Sequence, residues 1–293
     1  MAENSTETTL VARWSGSFVL DIRRSMVDFR CSFMITRRRI LGIQFFNGDV
    51  DEAVELMSRH GGFLVAPSGT CFARFREDER YRRAVLAADL AIADSGLMVL
   101  LWRLLRRQKI GRISGLKYLK NLLRKLKEEE TGEVFWVLPS ERARRKLFEW
   151  SRREPFPTAI KNCYVAPRYG AQIEDRNLLS LLEQNRPSHV IIAIGSGAQE
   201  KLGYYLRENS SYRPAIHCTG AALGFVTGEQ IPIPDWADRL FLGWFFRLFA
   251  QPGVFIPRLS HAFELPWLIW KYGEKLPPLK IDVRRQRLVD RDW

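Results

Sequence analysis

Short apolar segments alternate with longer amphipathic segments over the second half of the chain, and this alternation restricts the fold more than any other feature. The pattern predicts strands at 133–138, 158–164, 189–194 and 214–218, with helices at 140–152, 171–185 and 197–208 between them. Strands separated by helices of this length are typical of βαβ units, in which the strands run parallel and helices cover the sheet. We therefore predict an α/β, Rossmann-like fold with helices on both faces of a parallel sheet.

The same alternation extends toward the N-terminus. It predicts strands at 40–46, at 63–66 and up to Ala93, and helices at 49–60, about 70–88, about 96–107 and 114–127. The last helix carries leucines on one face and lysines and arginines on the other, as amphipathic surface helices do. The α/β domain is thus predicted to span 37–235.

Both ends of the chain differ in composition from this central domain. Residues 1–36 are polar and weakly periodic, and we expect a loose tail or an added arm. Residues 236–293 combine many Trp and Phe residues with arginines, and prolines divide them into short segments. This combination favours a C-terminal helical appendage that lies on a membrane. The alternative is a helical pair whose aromatic rings pack in the core.

The net charge of +13 predicts an anionic partner, which is nucleic acid, a phosphate-rich substrate or the inner leaflet of a membrane. The nine Trp and eighteen Phe residues favour the membrane interface, where aromatic rings are enriched. No RRM, KH or helix-turn-helix signature occurs, so nucleic acid is not the expected partner. The sequence shows neither a signal-peptide pattern nor an apolar run of about 18 residues, so we expect a peripheral protein.

The sequence lacks the spacing of a metal site. Its four cysteines are widely separated, with no CxxC pair, which argues against structural zinc and favours a reducing, cytosolic setting. Its four histidines are scattered. The segment Asp49-Val50-Asp51 has the form of the DxD that binds metal in many sugar-nucleotide transferases, but its position at a predicted helix start favours capping. We expect no metal and no cofactor.

The segment LAADLAIADSGL, at 86–97, carries the main candidate for catalysis. Asp94 follows a buried strand directly, and the carboxyl ends of parallel strands are where open α/β sheets bind their ligands. A carboxylate with apolar neighbours on both sides suits a general base. The alternative is that Asp94 caps the helix that follows.

Glycines follow two of the predicted strands. Gly195-Ser196-Gly197-Ala198-Gln199-Glu200 comes after the strand at 189–194, where free backbone N–H groups at a helix start can hold a diphosphate. Its sixth position is Glu200 rather than glycine, so it departs from the dinucleotide fingerprint G-x-G-x-x-G. Gly220 follows the last strand in a similar turn. The alternative for both is a plain strand-to-helix turn.

Arg112 lies in the segment GRISG between two predicted helices. A guanidinium at this place can offset the charge of a leaving diphosphate. The alternative is an exposed arginine in a loop.

The ordered set of these motifs resembles a bacterial family. The set comprises ILGIQFFNGDVDEAVELM, FLVAPSGT, AADLAIADSGLMVLLWRLL, GRISG, VIIAIGSGAQE, TGAALGFVTG and DWADRLFLGWFFRLFAQP. In this order they are similar to the WecG/TagA/CpsF glycosyltransferases, glycosyltransferase family 26, over about residues 38–260. The resemblance implies an inverting, metal-independent enzyme that moves a sugar from a UDP donor to a polyprenyl-diphosphate-linked acceptor, for surface polysaccharide or teichoic acid. It also implies that the C-terminal appendage contacts the membrane and helps to complete the active site.

The resemblance also implies roles for single residues. Asp94 matches the aspartate of the A-D-G motif, which is the proposed base. The other matching positions are expected to bind substrate, and they are Arg112 in R-x-x-G, then Gly195, Ser196, Gln199 and Glu200 in G-S-P-K-Q-E, Gly220 in G-x-x-x-D-F, and Arg247 after the aromatic pair of the appendage.

Several positions depart from the family pattern. Ala66-Pro67-Ser68 stands where T-P-N is usual, so a threonine is absent and Ser68 is expected to take over a polar contact. Lys117 replaces an acid, and Gly224 replaces the aspartate of G-x-x-x-D-F. These changes leave the donor sugar open between glucose, as in exopolysaccharide synthesis, and N-acetylmannosamine.

The sequence therefore predicts a glycosyltransferase on the cytosolic face of the cell membrane. Its expected partners are a UDP-sugar, a lipid-linked diphospho-sugar acceptor and an anionic membrane surface, with homo-oligomerisation left open. Two alternatives come from other classes. One is a non-catalytic scaffold of a polysaccharide assembly complex, and the other is a nucleic-acid-binding protein.

Overall fold

Eight strands form one sheet in the computed structural model, which describes residues 36–68, 71–129, 133–154, 156, 160–230 and 264–280. The strands are β1 Arg37–Ile40, β2 Ile43–Phe46, β3 Gly62–Val65, β4 Leu90–Ala91, β5 Val134–Leu138, β6 Cys163–Val165, β7 His189–Ile192 and β8 Ala215–Cys218. Their order across the sheet is β1-β2-β4-β3-β8-β7-β5-β6. All neighbours pair in parallel except β1 and β2, which confirms the predicted α/β class with a mostly parallel sheet.

The first predicted strand is a hairpin instead. We expected one strand over 40–46, but the chain turns back at Leu41 and Gly42 and pairs Ile40 with Ile43. Both turn residues have positive φ, 50° and 85°, which is the backbone of a two-residue hairpin turn. The sequence prediction was wrong because the usual signal for such a turn, Asn-Gly or Asp-Gly, is absent.

Ten helices connect or flank these strands in the described residues. They are α1 Val50–His60, α2 Cys71–Glu77, α3 Glu79–Leu86, α4 Gly96–Arg106, α5 Gly115–Glu128, α6 Glu141–Arg153, α7 Arg176–Asn185, α8 Ala198–Asn209, α9 Ala222–Val226 and α10 Glu264–Tyr272. Six of them begin after an Asp or Ser whose side chain accepts a backbone N–H of the first turn. Such caps satisfy N–H groups that lack a partner within the helix, so these residues fix where each helix starts.

The helices cover the sheet on both faces, as predicted. On one face α1 packs against α5, and on the other α3 packs against α8. The contact between α8 and the sheet is close, because a Cβ at Gly203 would lie 2.5 Å from the Phe63 ring and 2.9 Å from Cys218 Sγ. Gly203 therefore lets α8 pack closely against β3 and β8. This close packing fixes the distance between the turn before α8 and the edge of the sheet.

The predicted strand over 158–164 is shorter in the structure. A 3₁₀ turn occupies Ile160–Asn162, and β6 begins only at Cys163. At the chain ends, the predicted arm over 1–36 lies outside the described residues except for Thr36, and the appendage over 236–293 does so except for 264–280. Within the appendage, α10 buries Leu265, Leu268 and Ile269 in the core.

Connections leave the sheet in opposite directions at one pair of neighbouring strands. The chain runs from β5 outward to the edge strand β6, whereas it runs from the adjacent β7 inward to β8. In open α/β sheets, the crevice at such a switch point, outside the carboxyl ends of the strands, is where ligands bind. The loops after β5, β7 and β8 are therefore the expected location of a ligand-binding site.

Candidate active site

Asp94 lies past the carboxyl end of β4, and its side chain reaches a different helix from the one it precedes. Its Oδ1 accepts the backbone N–H of Gly115, the first residue of α5, at 2.9 Å. Negative charge at a helix N-terminus is favourable, because the free N–H groups and the helix dipole both stabilise it. Within the described part of the chain, no hydrogen bond engages Oδ2 of Asp94.

The alternative role for Asp94, as the cap of the helix that follows, is wrong. Ser95 is the N-cap of α4, and its Oγ accepts the N–H of Met98 at 3.2 Å. Because Ser95 already serves that helix, the carboxylate of Asp94 is free to turn toward α5.

Arg112 lies beside Asp94 rather than in an exposed loop. Its Nε donates to the backbone carbonyl of Asp94 at 3.1 Å, and its side chain is half-buried. This contact holds the Arg112 side chain against the backbone of Asp94. An acidic and a basic residue therefore lie at neighbouring positions on the carboxyl edge of the sheet.

The turn before α8 is held by the buried carboxyl group of Glu200. Its Oε2 accepts the N–H of Gly197 at 2.5 Å, and its Oε1 accepts from Gln199 Nε2 at 3.0 Å. Burial raises the pKa of Glu200 although these hydrogen bonds oppose that shift. Gly197 has φ 93°, a backbone that side chains rarely adopt, so the turn needs glycine there.

A thiol that the sequence did not single out joins two of the predicted site residues. Cys71 Sγ lies 3.1 Å from Ser68 Oγ and 2.8 Å from Ser196 Oγ. Arg74, in the same helix, donates from Nη1 to the carbonyl of Ser196 at 2.6 Å. Helix α2 therefore links the loop after β3 to the turn after β7. No short motif signals these roles, because the partners lie far apart along the chain.

Gly220, which follows β8, lies between the segment around Asp94 and the turn before α8. With φ 59°, it lies so close to Gln199 that a Cβ would be 3.4 Å from the amide of that residue. The carbonyl of the preceding residue, Thr219, is 3.5 Å from where a Cβ of Gly115 would be. Asp94, Gly115, Gly220 and Gln199 are thus neighbours along one edge of the sheet. Gln199 is connected to Ser196 through the carboxyl group of Glu200, and Ser196 to Ser68 through Cys71.

An open cavity of about 330 Å³ lies beside Gly220, at the switch point between β5 and β7. Pro139 after β5 and Ala193 after β7 line it, and Arg142, Glu229 and Gln230 contribute polar groups. Its volume falls in the lower part of the range for small-molecule sites. The carboxyl edge of the sheet therefore has space for a small ligand.

Comparison with known proteins assigns the chain to a family. The family model described as glycosyl transferase WecG/TagA/CpsF family matches residues 38–279. The chain belongs to this family. No protein in a search of curated proteins matches it. The family assignment makes the protein a glycosyltransferase, with a sugar donor and an acceptor as its substrates.

The residues that the family resemblance singles out lie together where the structure describes them. They lie at the carboxyl edge of the sheet, in the loops for Asp94, Arg112, Gly195, Ser196, Gly220 and Ser68 and in the first turn of α8 for Gln199 and Glu200. Arg247 lies outside the described residues. The roles of these residues in this glycosyltransferase remain predictions.

The Asp49-Val50-Asp51 segment is used for structure. Asp49 is the N-cap of α1, and its Oδ1 accepts the N–H of Glu52 at 2.8 Å, as the capping interpretation predicted. Asp51 pairs with Arg124 of α5 at 3.1 Å. Among the described residues of this glycosyltransferase, no group of three or more His, Cys, Asp or Glu side chains is arranged to hold a metal ion.

A chain of buried polar side chains lies beneath the site. The Tyr118 hydroxyl is 2.9 Å from His217 Nδ1, and His217 Nε2 is 3.1 Å from His189 Nδ1. Burial lowers the pKa of His189 to about 4 and that of His217 well below its usual value, so both rings are neutral at pH 7. This chain ties α5, which carries the partner of Asp94, to β8, which leads to Gly220.

Two helices expose apolar side chains toward solvent. Leu100 and Leu104 of α4 are 51% and 71% exposed, and Trp270 of α10 is 67% exposed. The two helices pack against each other. Across the described ranges, no helix combines the length and the hydropathy that crossing a bilayer would require.

Proposed function

We propose that this glycosyltransferase moves glucose or N-acetylmannosamine, with inversion, from a UDP-sugar to a polyprenyl-diphosphate-linked acceptor in bacterial exopolysaccharide or cell-surface polysaccharide synthesis. The observation that carries the proposal is the geometry of Asp94. One carboxylate oxygen of Asp94 accepts the N–H of Gly115, and the Nε of Arg112 donates to the backbone carbonyl of Asp94. This is the arrangement that a fixed general base beside a phosphate-binding cation requires.

The chemistry follows from these positions. Oδ2 of Asp94 takes the proton from the acceptor hydroxyl while the oxygen of that hydroxyl attacks the anomeric carbon of the donor. The new bond forms on the face opposite the leaving group, so the configuration inverts. The bond between the anomeric carbon and the diphosphate breaks, and its electron pair leaves with the terminal phosphate oxygen of UDP.

Charge develops on the departing UDP, and the protein has groups to offset it. Arg112 lies next to the proposed base, and the turn at 195–200 places the positive end of the α8 helix dipole at the same edge. Fixed donors of this kind stabilise a transition state because they need no reorganisation during the reaction. In this proposal, no metal is needed for the leaving group.

A membrane-bound acceptor fits the exposed apolar surface. Helices α4 and α10 together expose Leu100, Leu104, Trp267 and Trp270, and Lys271 Nζ lies 4.8 Å from the Trp267 ring centroid. Leucine and tryptophan beside cations on short helices are typical of proteins that lie on anionic lipid. We propose that this surface, the α4–α10 patch, faces the inner leaflet and brings the active site to its lipid-linked acceptor.

The test is a transfer assay with membranes from the native host. Purified protein, a panel of radiolabelled UDP-sugars and these membranes are combined, and label is followed into lipid extracts. We expect one UDP-hexose or UDP-N-acetylhexosamine to label a lipid in a protein-dependent manner, with loss of labelling in Asp94→Asn. UDP binding with no transfer from any donor would instead support the non-catalytic scaffold, and the proposed reaction would be wrong.

A further inference from the structure

We infer that the cavity at the β5–β7 switch point binds the nucleoside of the donor. In this inference the Glu229 carboxylate accepts a hydrogen bond from a ribose hydroxyl, and Gln230 selects the nucleobase. This inference rests on the proposed function, because it assigns the donor's nucleoside to a place in the same site. Neither residue belongs to the motifs that marked the active site in the sequence.

The position of the cavity is the first argument. It opens between Pro139, Ala193 and Gly220, which follow β5, β7 and β8. Gly220 forms part of its wall and also contacts Gln199 of the turn that caps α8. A nucleoside in the cavity therefore has its diphosphate directed along the turn at 195–200, toward Arg112 and Asp94.

The second argument concerns how Gln230 comes to line the cavity. A Cβ at Gly224 would lie 3.1 Å from both Cγ and Nε2 of Gln230, so the amide of Gln230 fills the space that a side chain at 224 would need. The backbone N–H of Gln230 donates to the carbonyl of Gly224 at 2.9 Å. The glycine thus makes room for the amide, and the backbone hydrogen bond fixes it against α9.

The chemistry of the lining is the third argument. The lining, as far as the structure describes it, contains one carboxylate, Glu229, and one guanidinium, Arg142. A carboxylate that accepts from a ribose hydroxyl is the usual device by which α/β nucleotide sites bind ribose. An amide offers both a donor and an acceptor, which is what the polar edge of a base requires. Arg142 gives the cavity a cation that suits the anionic ligand.

The experiment measures nucleotide binding by the full-length protein, using calorimetry with UDP, 2′-deoxy-UDP, CDP and ADP. Wild type is expected to bind UDP more tightly than 2′-deoxy-UDP. Glu229→Gln should weaken UDP binding on the order of ten-fold and bring UDP and 2′-deoxy-UDP to the same affinity. Gln230→Ala, and Gly224→Ala through its contact with that amide, should reduce the preference for UDP over CDP and ADP.

Matched controls are Glu208→Gln and Gln184→Ala, which change exposed residues of the same types at the ends of α8 and α7. They should bind all four nucleotides as wild type does. If wild type binds UDP and the cavity variants behave like the controls, the nucleoside lies elsewhere and this inference is wrong while the proposed function stands. If wild type binds no nucleoside diphosphate, the proposed function is wrong, and the inference with it.

Discussion

The backbone N–H of Gly115 lies 2.9 Å from Oδ1 of Asp94 and joins the N-terminus of α5 to the end of β4. This hydrogen bond fixes the rotation of the carboxylate, so Oδ2 keeps one direction. A Cβ at position 115 would lie 3.9 Å from Oδ1 and 3.5 Å from the Thr219 carbonyl, which are ordinary van der Waals distances. As the proposed base, a carboxylate held in this way needs little reorganisation before it accepts a proton.

Two substitutions at Asp94 separate its catalytic role from its structural one. Asp94→Asn keeps an oxygen that can accept from Gly115, so the melting temperature should stay close to that of wild type. Transfer should fall by on the order of 10² or more, because the amide cannot take the acceptor proton. Asp94→Ala should lose transfer to the same extent and, in addition, about 1 kcal/mol of stability with the lost hydrogen bond to the Gly115 N–H.

The measurements are initial rates of transfer into lipid and thermal unfolding of both variants. Ser95→Ala is the matched control, because it removes the cap of the neighbouring helix α4 and leaves the carboxylate in place. It should lose stability and keep most of its activity. Transfer by Asp94→Asn at a rate near that of wild type would remove this residue from the role of base.

Substitution of Arg112 tests the proposed cation. Arg112→Ala should lower kcat about 10- to 100-fold, since the guanidinium would act on charge that develops only as UDP leaves. Arg112→Lys should recover part of the loss, because it keeps the charge but not the Nε contact with the Asp94 carbonyl. Arg145→Ala, on the exposed side of α6, is the control and should have the kcat and KM of wild type. An Arg112→Ala variant that changes KM alone would mean that the guanidinium contributes uniform binding.

Local patterns explain why much of this fold could be predicted from the sequence. The apolar strands, and caps such as Asp49 and Ser114, are decided by residues within a few positions of each other. The place of Asp94 at the sheet edge followed from the same local alternation. Its partner did not, because Gly115 is 21 residues away and the nearer helix start at Ser95 offered a simpler explanation.

Contacts between distant segments account for what the sequence could not provide. Cys71 and Ser196 are 125 residues apart, and only the neighbouring positions of β3, β8 and β7 in the sheet bring their loops together. The hairpin at Leu41 was missed for a related reason. Its turn is supported by hydrogen bonds from Leu41 and Gly42 to the carbonyls of Gly273 and Glu274, near the other end of the chain.

The α4–α10 patch makes a prediction about membrane binding. The double variant Leu104→Glu with Trp270→Glu puts two charges on this exposed surface, where burial against lipid would be costly. Binding to vesicles that contain anionic lipid should fall at least ten-fold in a sedimentation assay, while thermal unfolding changes little because both residues are exposed. Neutral vesicles should bind wild type weakly.

Leu86→Glu is the control for that experiment, since it charges an exposed leucine at the end of α3. It should sediment with anionic vesicles as wild type does. If the double variant also sediments as wild type does, the patch is not the contact, and the basic face of α5 or the segment from 236 onward becomes the candidate to test by truncation.

The buried histidines predict how stability depends on pH. When both imidazole rings are neutral, both hydrogen bonds of this chain can form. The Tyr118 hydroxyl donates to His217 Nδ1, and His217 Nε2–H then donates to His189 Nδ1. A proton on either acceptor nitrogen breaks this chain. Because the pKa of His189 is about 4 in the native state and about 6.5 in the unfolded state, the unfolded state binds more protons between these values. The free energy of unfolding should be constant above pH 6.5 and fall as the pH drops toward 4, by about 3 kcal/mol from His189 alone.

Urea unfolding from pH 4.5 to 8 measures this slope. His189→Asn should reduce the slope, and the control His60→Gln, at the exposed end of α1, should leave it unchanged. A slope in His189→Asn equal to that of wild type would place the titrating group elsewhere.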